Sequence, residues 1–448
     1  MSRYKRYERY KDSGVEWIGE IPEHWGVKPL KRVFKIINGG TPSSSEESYW
    51  NGEIVWVTPN DLSKLTEACI VDSERKITQD GLHNCSARIV PKGSIVISTR
   101  APIGYVAIAG VPLCTNQGCK SLVAINKVNP KYFYYWMHSI SFYLNVLGQG
   151  TTFIELSNSS LSMVELLTPS INEQKAIANF LDQKTAVIDD LIADKEKLIE
   201  LLQEKRQAII TEAVTKGLNP NVRMKDSGIE WIGEIPEHWN NKKISWIFNI
   251  IGSGTTPSTS NLEYYDGDVP WVNTGDLNDG YLYETSKMIT DLALKDYSTL
   301  KFYPIDTLLI AMYEATIGKL SITKIIATTN QACCALAQPK NVNIKFIFYW
   351  FLANRNHIIA MAYGGGQPNI SQNLIKSLRI NLPEKHEQNA IVNFLDQKTA
   401  EIDSLVTETK NQIEKLKEYR QSLISEAVTG KIDVREFQKK NEVIFRNE

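Results

Sequence analysis

Two kinds of hydrophobic spacing alternate along the chain. From Glu173 to Lys216 neither Pro nor Gly interrupts the run. Apolar residues at Ile177, Leu181, Ile188, Leu191, Leu198, Leu202 and Ile209 follow a 4-3 alternation, with Lys184, Lys195 and Lys205 where it expects further apolar groups. A seam that narrow, kept up over about six heptads, predicts a coiled-coil helix rather than a helix lying on a globular core. Near the C-terminus Ile391, Leu395, Ile402, Leu405, Leu416, Tyr419 and Leu423 repeat the pattern, with Lys398, Thr409 and Gln412 at its imperfect positions. Each helix would be about 65 Å long at 1.5 Å per residue. Asn172, after Pro169, is a candidate N-cap, and Gly217 and Gly430 stand where C-terminal caps belong. An antiparallel pair within the chain is the simplest way to bury both stripes; two helices packed separately on their own domains is the alternative.

The segments Gly26 to Ser170 and Asn240 to Glu384 read differently, as mixed α/β structure with short strands and many turns. Ile54 to Val57, Ser94 to Ser98 and Tyr105 to Ala109 are apolar, β-branched runs between Gly, Pro and Asn punctuation, and predict strands. Tyr132 to Leu147 predicts one helix dense in aromatic residues, which serve packing better than base stacking.

The two kinds of segment occur twice. Lys11 to Trp25 reads KDSGVEWIGEIPEHW and Lys225 to Trp239 reads KDSGIEWIGEIPEHW, identical at fourteen of fifteen positions. At the same offset of 214, EQKAIANFLDQKTAVIDDLI from Glu173 matches EQNAIVNFLDQKTAEIDSLV from Glu387. Between these blocks the copies agree only at scattered points, among them Thr41-Pro42-Ser43 with Thr256-Pro257-Ser258 and Thr115-Asn116-Gln117 with Thr329-Asn330-Gln331. Domains that kept one fold but differ on their surfaces bind different things, and helices that stayed alike bind the same thing twice, or each other. Uneven drift after a simple duplication is the competing explanation.

Composition narrows the function. Hydrophobic content of 42% and charged content of 23% are ordinary for a globular protein. The charged, aromatic start is not a secretory signal, and no run approaches the roughly 18 apolar residues of a membrane helix, so a cytoplasmic protein is expected. The six cysteines form no C-x-x-C pair and read as buried free thiols. No N/D-P-P-Y/F/W motif and no Walker A is present, and the six histidines are scattered, with His24 and His238 structural inside the repeated block. No metal site and no catalytic centre is expected. A formal net charge of −1 argues against gripping nucleic acid by bulk charge alone.

Polar loops are the candidate contact surfaces, because Asn, Gln, Arg, Ser and Thr are the side chains that read base edges. In the first copy they offer Thr41, Ser43, Ser44, Thr58, Asn60, Ser98, Arg100, Gln149, Thr151 and Thr152. In the second they offer Thr256, Ser258, Asn273, Thr274, Tyr313, Gln367 and Asn369. The Asn116-Gln117 and Asn330-Gln331 pairs, alike in both copies, suit a fold role better.

The paired KDSG-EWIGEIPEHW blocks, the TPS and TNQ signatures, and the P-x-x-x-EQ-x-x-I-x-x-F/L-D run at Pro169 to Asp182 and Pro383 to Asp396 resemble specificity subunits of type I restriction-modification systems. The resemblance implies two α/β (α+β) target-recognition domains joined by long helices in an antiparallel coiled coil, as a pseudo-twofold internal repeat. On this chain the parts are a conserved segment at 1–25, recognition domain 1 at 26–170, a central helix at 171–217, a linker and repeated segment at 218–239, recognition domain 2 at 240–384, a second helix at 385–431 and a tail at 432–448. Each recognition domain would read half of a split, asymmetric target in double-stranded DNA. The helices would set the spacer and dock two methyltransferase subunits, joined by restriction-translocase subunits. S-adenosylmethionine, ATP and Mg would be used by those partners and none bound by this chain. Half-sites one turn apart are separated by roughly 34 Å, within the reach of such a rod. A tandem-repeat protein-binding scaffold without DNA specificity is the alternative.

Overall fold

The computed structural model describes residues 4–100, 102–148, 154–362, 369–435 and 437. The chain divides into two compact units, Met1–Lys195 with Asn411–Glu448, and Glu196–Lys410. The division cuts across the linear order of segments, since each unit takes part of both long helices.

In the first unit the repeated block folds as a β-hairpin, Tyr10–Asp12 against Glu20–Pro22. Gly14 and Gly19 sit at φ 74° and 71°, which a side chain would strain. Gly26–Pro29 then pairs antiparallel with Glu165–Thr168, so the first and last strands of the globular part lie side by side. Between them is a five-stranded sheet of β1 (Phe34–Asn38), β2 (Cys69–Ile70), β3 (Ile95–Ser98), β4 (Val106–Ala109) and β5 (Cys119–Ala124), in the order β1-β5-β3-β4-β2. Side chains alternate across it. Ile95, Ile97 and Leu122 enter the core with the aromatic helix α1 (Pro130–Ser139), and Val96 and Ala107 pack with Val55 and Val57 on the other face. The expected strands are present as Trp50–Val57, β3 and β4. The single helix expected over Tyr132 to Leu147 is instead two, α1 and Ser141–Val146, broken at Ile140. There the Ser139 hydroxyl donates to the Trp136 carbonyl at 2.7 Å, competing with the helical ladder.

The second unit repeats the plan. Its sheet strands are β6 (Phe248–Gly252), β7 (Gly280–Leu282), β8 (Leu308–Ala311), β9 (Leu320–Thr323) and β10 (Cys333–Pro339), in the order β6-β10-β8-β9-β7. Here the aromatic helix α3 (Ile344–Ala360) is unbroken.

Two long helices, α2 (Ile171–Lys216) and α4 (Lys385–Val428), follow the globular parts. The N-cap of α2 is Ser170 rather than Asn172. Ser170 and Glu173 form a capping box: the Ser170 hydroxyl donates to the Glu173 carboxylate at 2.8 Å and accepts from the Glu173 N–H at 3.3 Å. The same carboxylate is 2.7 Å from His24 Nε2 and accepts from the indole of Trp25 at 3.2 Å. In the second unit His238 and Trp239 hold Glu387 at 2.8 and 3.2 Å. About two and a half turns onward Lys131 and Tyr135 of α1 grip Asp182, as Lys345 and Tyr349 of α3 grip Asp396. Both helices end at positive-φ glycines, Gly217 and Gly430.

Within each unit the two helices run antiparallel. In the first, Arg420 pairs with Asp189 at 2.8 Å and Lys195 donates to Gln412 at 2.6 Å. In the second, Arg206 pairs with Asp403 at 3.0 Å, the first unit's ion pair with the helices exchanged. Ile177, Leu181, Ile188, Ile391, Leu395, Ile402 and Leu423 are buried, and Leu202 and Leu416 are half-buried. Leu191, Leu198 and Leu405 depart from the expected seam, at 42%, 44% and 50% exposed. The inner positions are one residue later, at Ile192, Ile199 and Val406, and the exposed Tyr419 gives way to Arg420. Thr185 carries the true phase past Lys184, and one residue is about 100° of turn, which sends those leucines outward. Ile413, buried at 5%, is the apolar seam residue that the shifted phase missed. Among the described residues no helix is long and apolar enough to cross a membrane.

Replacing Ile413 by Ala is expected to cost about 2–4 kcal/mol, and Leu191→Ala less than about 1 kcal/mol. Urea denaturation measures both, and equal losses would contradict the shifted seam. Burial raises the Glu173 carboxyl, but the bonds from His24, Ser170 and Trp25 outweigh it and hold the group below its ordinary value. Its contribution is therefore full above the unfolded pKa of about 4.3 and fades as pH falls through the lower folded value. Glu173→Gln should cost about 1–3 kcal/mol at neutral pH, with the gap to the parent closing in acid. A gap independent of pH would show that the charge plays no part.

Candidate nucleic-acid interface

The TNQ turn is the hub on which the predicted loops hang. In the first unit the Asn116 N–H donates to the Val57 carbonyl at 2.9 Å, and the Asn116 side chain accepts from the Gly118 N–H at 2.9 Å. The Gly118 carbonyl accepts from the Thr99 and Arg100 N–H groups at 2.8 and 3.4 Å. Gln117 accepts from the Thr41 hydroxyl. Gly39 passes so close that an added Cβ would stand 1.8 Å from the Asn116 carbonyl oxygen. Loops 39–45, 58–61 and 98–100 are thereby tied to one turn.

The second unit builds the same hub with more side-chain bonds. Asn330 is buried, its oxygen accepts from the Ala332 and Cys333 N–H groups at 3.0 and 3.1 Å, and its amide donates to Asn273 at 3.3 Å. Thr256 donates to Gln331 at 2.6 Å. The Met312 N–H donates to the Ala332 carbonyl at 2.8 Å, and the Met312 carbonyl accepts from Ile370 at 2.7 Å. The turn that is alike in both copies thus holds the loops that differ.

The predicted contact residues divide by exposure. Thr41, Ser43, Ser44, Asn60 and Arg100 are exposed in the first unit, and Ser258 and Asn369 in the second; Thr58, Thr256, Asn273 and Tyr313 are half-buried. Thr58 and Asn273 also cap short helical turns through Asp61 and Asp276. Asn60 donates to Glu74 at 3.0 Å. Two expectations are corrected. Ser98 is fully buried, its hydroxyl donating to the Pro102 carbonyl and accepting from the Tyr105 N–H, both at 2.9 Å, so it closes a turn and offers nothing to a ligand. Thr274 is 7% exposed and is likewise withdrawn from the surface. Gln149, Thr151, Thr152 and Gln367 lie outside the described residues.

The loop surface of the first unit carries an ion cluster that residue type alone did not reveal. Arg100 and Glu155 face each other across an antiparallel bridge, with Nε 3.0 Å from Oε2. Lys120, on β5 and nearly buried, reaches the other carboxylate oxygen at 3.6 Å. Burial lowers the Lys120 ammonium and Glu155 opposes that shift. All six cysteines are free thiols, and burial pushes Cys114 and Cys334 up to about 12, which leaves them unreactive.

Two α/β domains of one topology, each presenting a polar loop surface on its own hub of the same build and each fixed to a long helix, define a tandem recognition protein. Its sequence matches the family described as type I restriction modification DNA specificity domain over residues 22–201 and again over 236–415. It is 35% identical over 309 residues to the type I restriction enzyme MjaIX specificity subunit of Methanocaldococcus jannaschii, covering 68% of each chain. It is 25% identical to the putative MjaX specificity subunit of the same organism, over 97% of this chain and 99% of that one. In fold it is similar to a chain from a type I R-M system, with a TM-score of 0.71, 16% identity, and 91% of this chain and 98% of that one covered. The HsdS subunit from Thermoanaerobacter tengcongensis gives a TM-score of 0.54 at 16% identity, over 92% and 98% of the two chains. The chain belongs to the type I restriction-modification specificity subunits, non-catalytic proteins that recognise DNA sequence. The scaffold alternative finds no support.

Proposed function

We propose that the two globular parts, residues 26–170 and 240–384, each read one half of a bipartite, asymmetric DNA target, and that α2 and α4 set the number of unread base pairs between the halves. The observation that carries this reading is one kind of hub, built once in each part, holding different loops in the two. A common fold with unlike contact chemistry suits two unlike half-sites. Thr41, Ser43, Ser44, Thr58, Asn60 and Arg100 are the contact residues in the first domain, and Thr256, Ser258, Asn273, Tyr313 and Asn369 in the second.

The same helices dock two methyltransferase subunits, which a restriction-translocase subunit joins, in a complex that acts in the cytoplasm. Supporting this are apolar side chains turned away from the seam: Val187, Leu191, Leu198, Leu201 and Leu405 are each between 42% and 66% exposed on helices otherwise rich in charge. S-adenosylmethionine, ATP and Mg serve those partners. A net charge of −1 agrees with partners that neutralise much of the phosphate backbone.

Exchanging residues 26–170 for those of a relative with a different target should change one half of the methylated sequence, read by methylation-site sequencing. Change in both halves, or in neither, would contradict the division. Seven residues inserted after Leu191 and seven after Leu416, which preserve the heptad phase, should lengthen the unread spacer by about three base pairs. Seven residues add about 10 Å of helix, and base pairs are about 3.4 Å apart. An unaltered spacer would remove the ruler role.

A further inference from the structure

The ion cluster at Arg100 occupies a definite place in the fold, and the second domain fills that place differently. The hub bonds give the correspondence. Thr99 and Met312 each donate from N–H to the hub carbonyl, and each accepts at its own carbonyl from the N–H of a later residue, Leu156 in one domain and Ile370 in the other. Arg100 therefore corresponds to Tyr313, and Glu155 to Asn369. The hub carbonyls belong to Gly118 and Ala332, so Lys120 corresponds to Cys334. Three charged residues in one domain stand where the other has none.

The arrangement makes Arg100 transferable. Its side chain is 45% exposed, Glu155 is 35% exposed and Lys120 is 7% exposed beneath them. An arginine held by one carboxylate alone would leave that carboxylate unpaired on turning to another ligand. Glu155 has a second cation, which cannot turn outward because it is buried on β5. Arg100 can thus exchange Glu155 for a new acceptor while the carboxylate stays neutralised. Guanine, with O6 and N7 side by side in the major groove, is the base edge whose paired acceptors match a guanidinium.

Resting on the two-reader function above, we propose that Arg100 determines specificity in the first half-site by pairing with a guanine, and that Glu155 and Lys120 are positioning residues that hold it ready and release it to DNA.

The test uses the full chain assembled with its methyltransferase subunits, once methylation-site sequencing has given the target. Binding is compared on duplexes carrying that target and each single base-pair change in both halves. Arg100→Ala should lower the preference for guanine at one position of the first half-site by about ten- to a hundredfold, with every preference in the second half-site kept. Lys120→Met, an apolar residue of similar length in a buried place, should lower the same preference several-fold, because Glu155 then holds Arg100 as its one counterion. Adding Glu155→Gln to Lys120→Met should restore it. That rescue, at a single base pair, is a readout that a purely structural lysine would not move. Unchanged preferences in Arg100→Ala, or losses spread equally over both half-sites in Lys120→Met, would overturn the proposal. If Arg100→Ala has no effect while exchange of residues 26–170 still changes the first half-site, the arginine assignment fails and the two-reader function stands. If the exchange changes nothing, the failure lies in that function.

Discussion

A carboxylate at the start of each long helix fixes the position of each reading domain. Glu173 gathers an imidazole, an indole and the capping serine, and Glu387 gathers the corresponding imidazole and indole. Glu173 is buried, and a charged group removed from water is costly unless hydrogen-bonded, so the EHW ending of the first block and its helix start must meet in one geometry; the second copy keeps the same contacts around a half-buried Glu387. A second grip about two and a half turns along, Lys131 and Tyr135 on Asp182 or Lys345 and Tyr349 on Asp396, opposes swivelling about the first. Loop position is thereby tied to the start of the helix, as the proposed spacer role requires. These contacts also explain why the blocks around them are nearly identical while the loops are not.

The helices themselves combine apolar burial with a few directed ion pairs. Asp189 with Arg420, and Asp403 with Arg206, are one interaction made twice with the helices exchanged. Exposed pairs of this kind contribute little to stability, but they favour one register, and the polar residues at Lys195 and Thr409 serve the same end. Leu191, Leu198 and Leu405 face outward, away from this seam.

Much of this architecture was legible in the sequence because it is duplicated. The two blocks, the glycine ends of the helices and the strands at Trp50–Val57, β3 and β4 all follow from local spacing. The seam phase did not, since leucines occur on both faces of α2 and the alternation can be followed through either until Thr185 and Ile192 are seen inside. The α2 cap was missed because Asn172 is as good a capping residue as Ser170 until Glu173 is recognised as the other half of the box. In the loops, Ser98 and Arg100 are two residues apart and equally polar, yet one closes a turn and the other is presented outward. Only the hub tells them apart. Lys120 and Glu155 lie 35 residues apart in the chain, and no pattern announces that they share Arg100.

The most direct test of two dissimilar readers held at a set separation is the methylation map of a host genome expressing this chain with its modification subunits. One asymmetric motif made of two short defined halves around a gap of constant length, methylated in both halves, is expected. A continuous motif, a palindrome, or a gap that varies from site to site would contradict it.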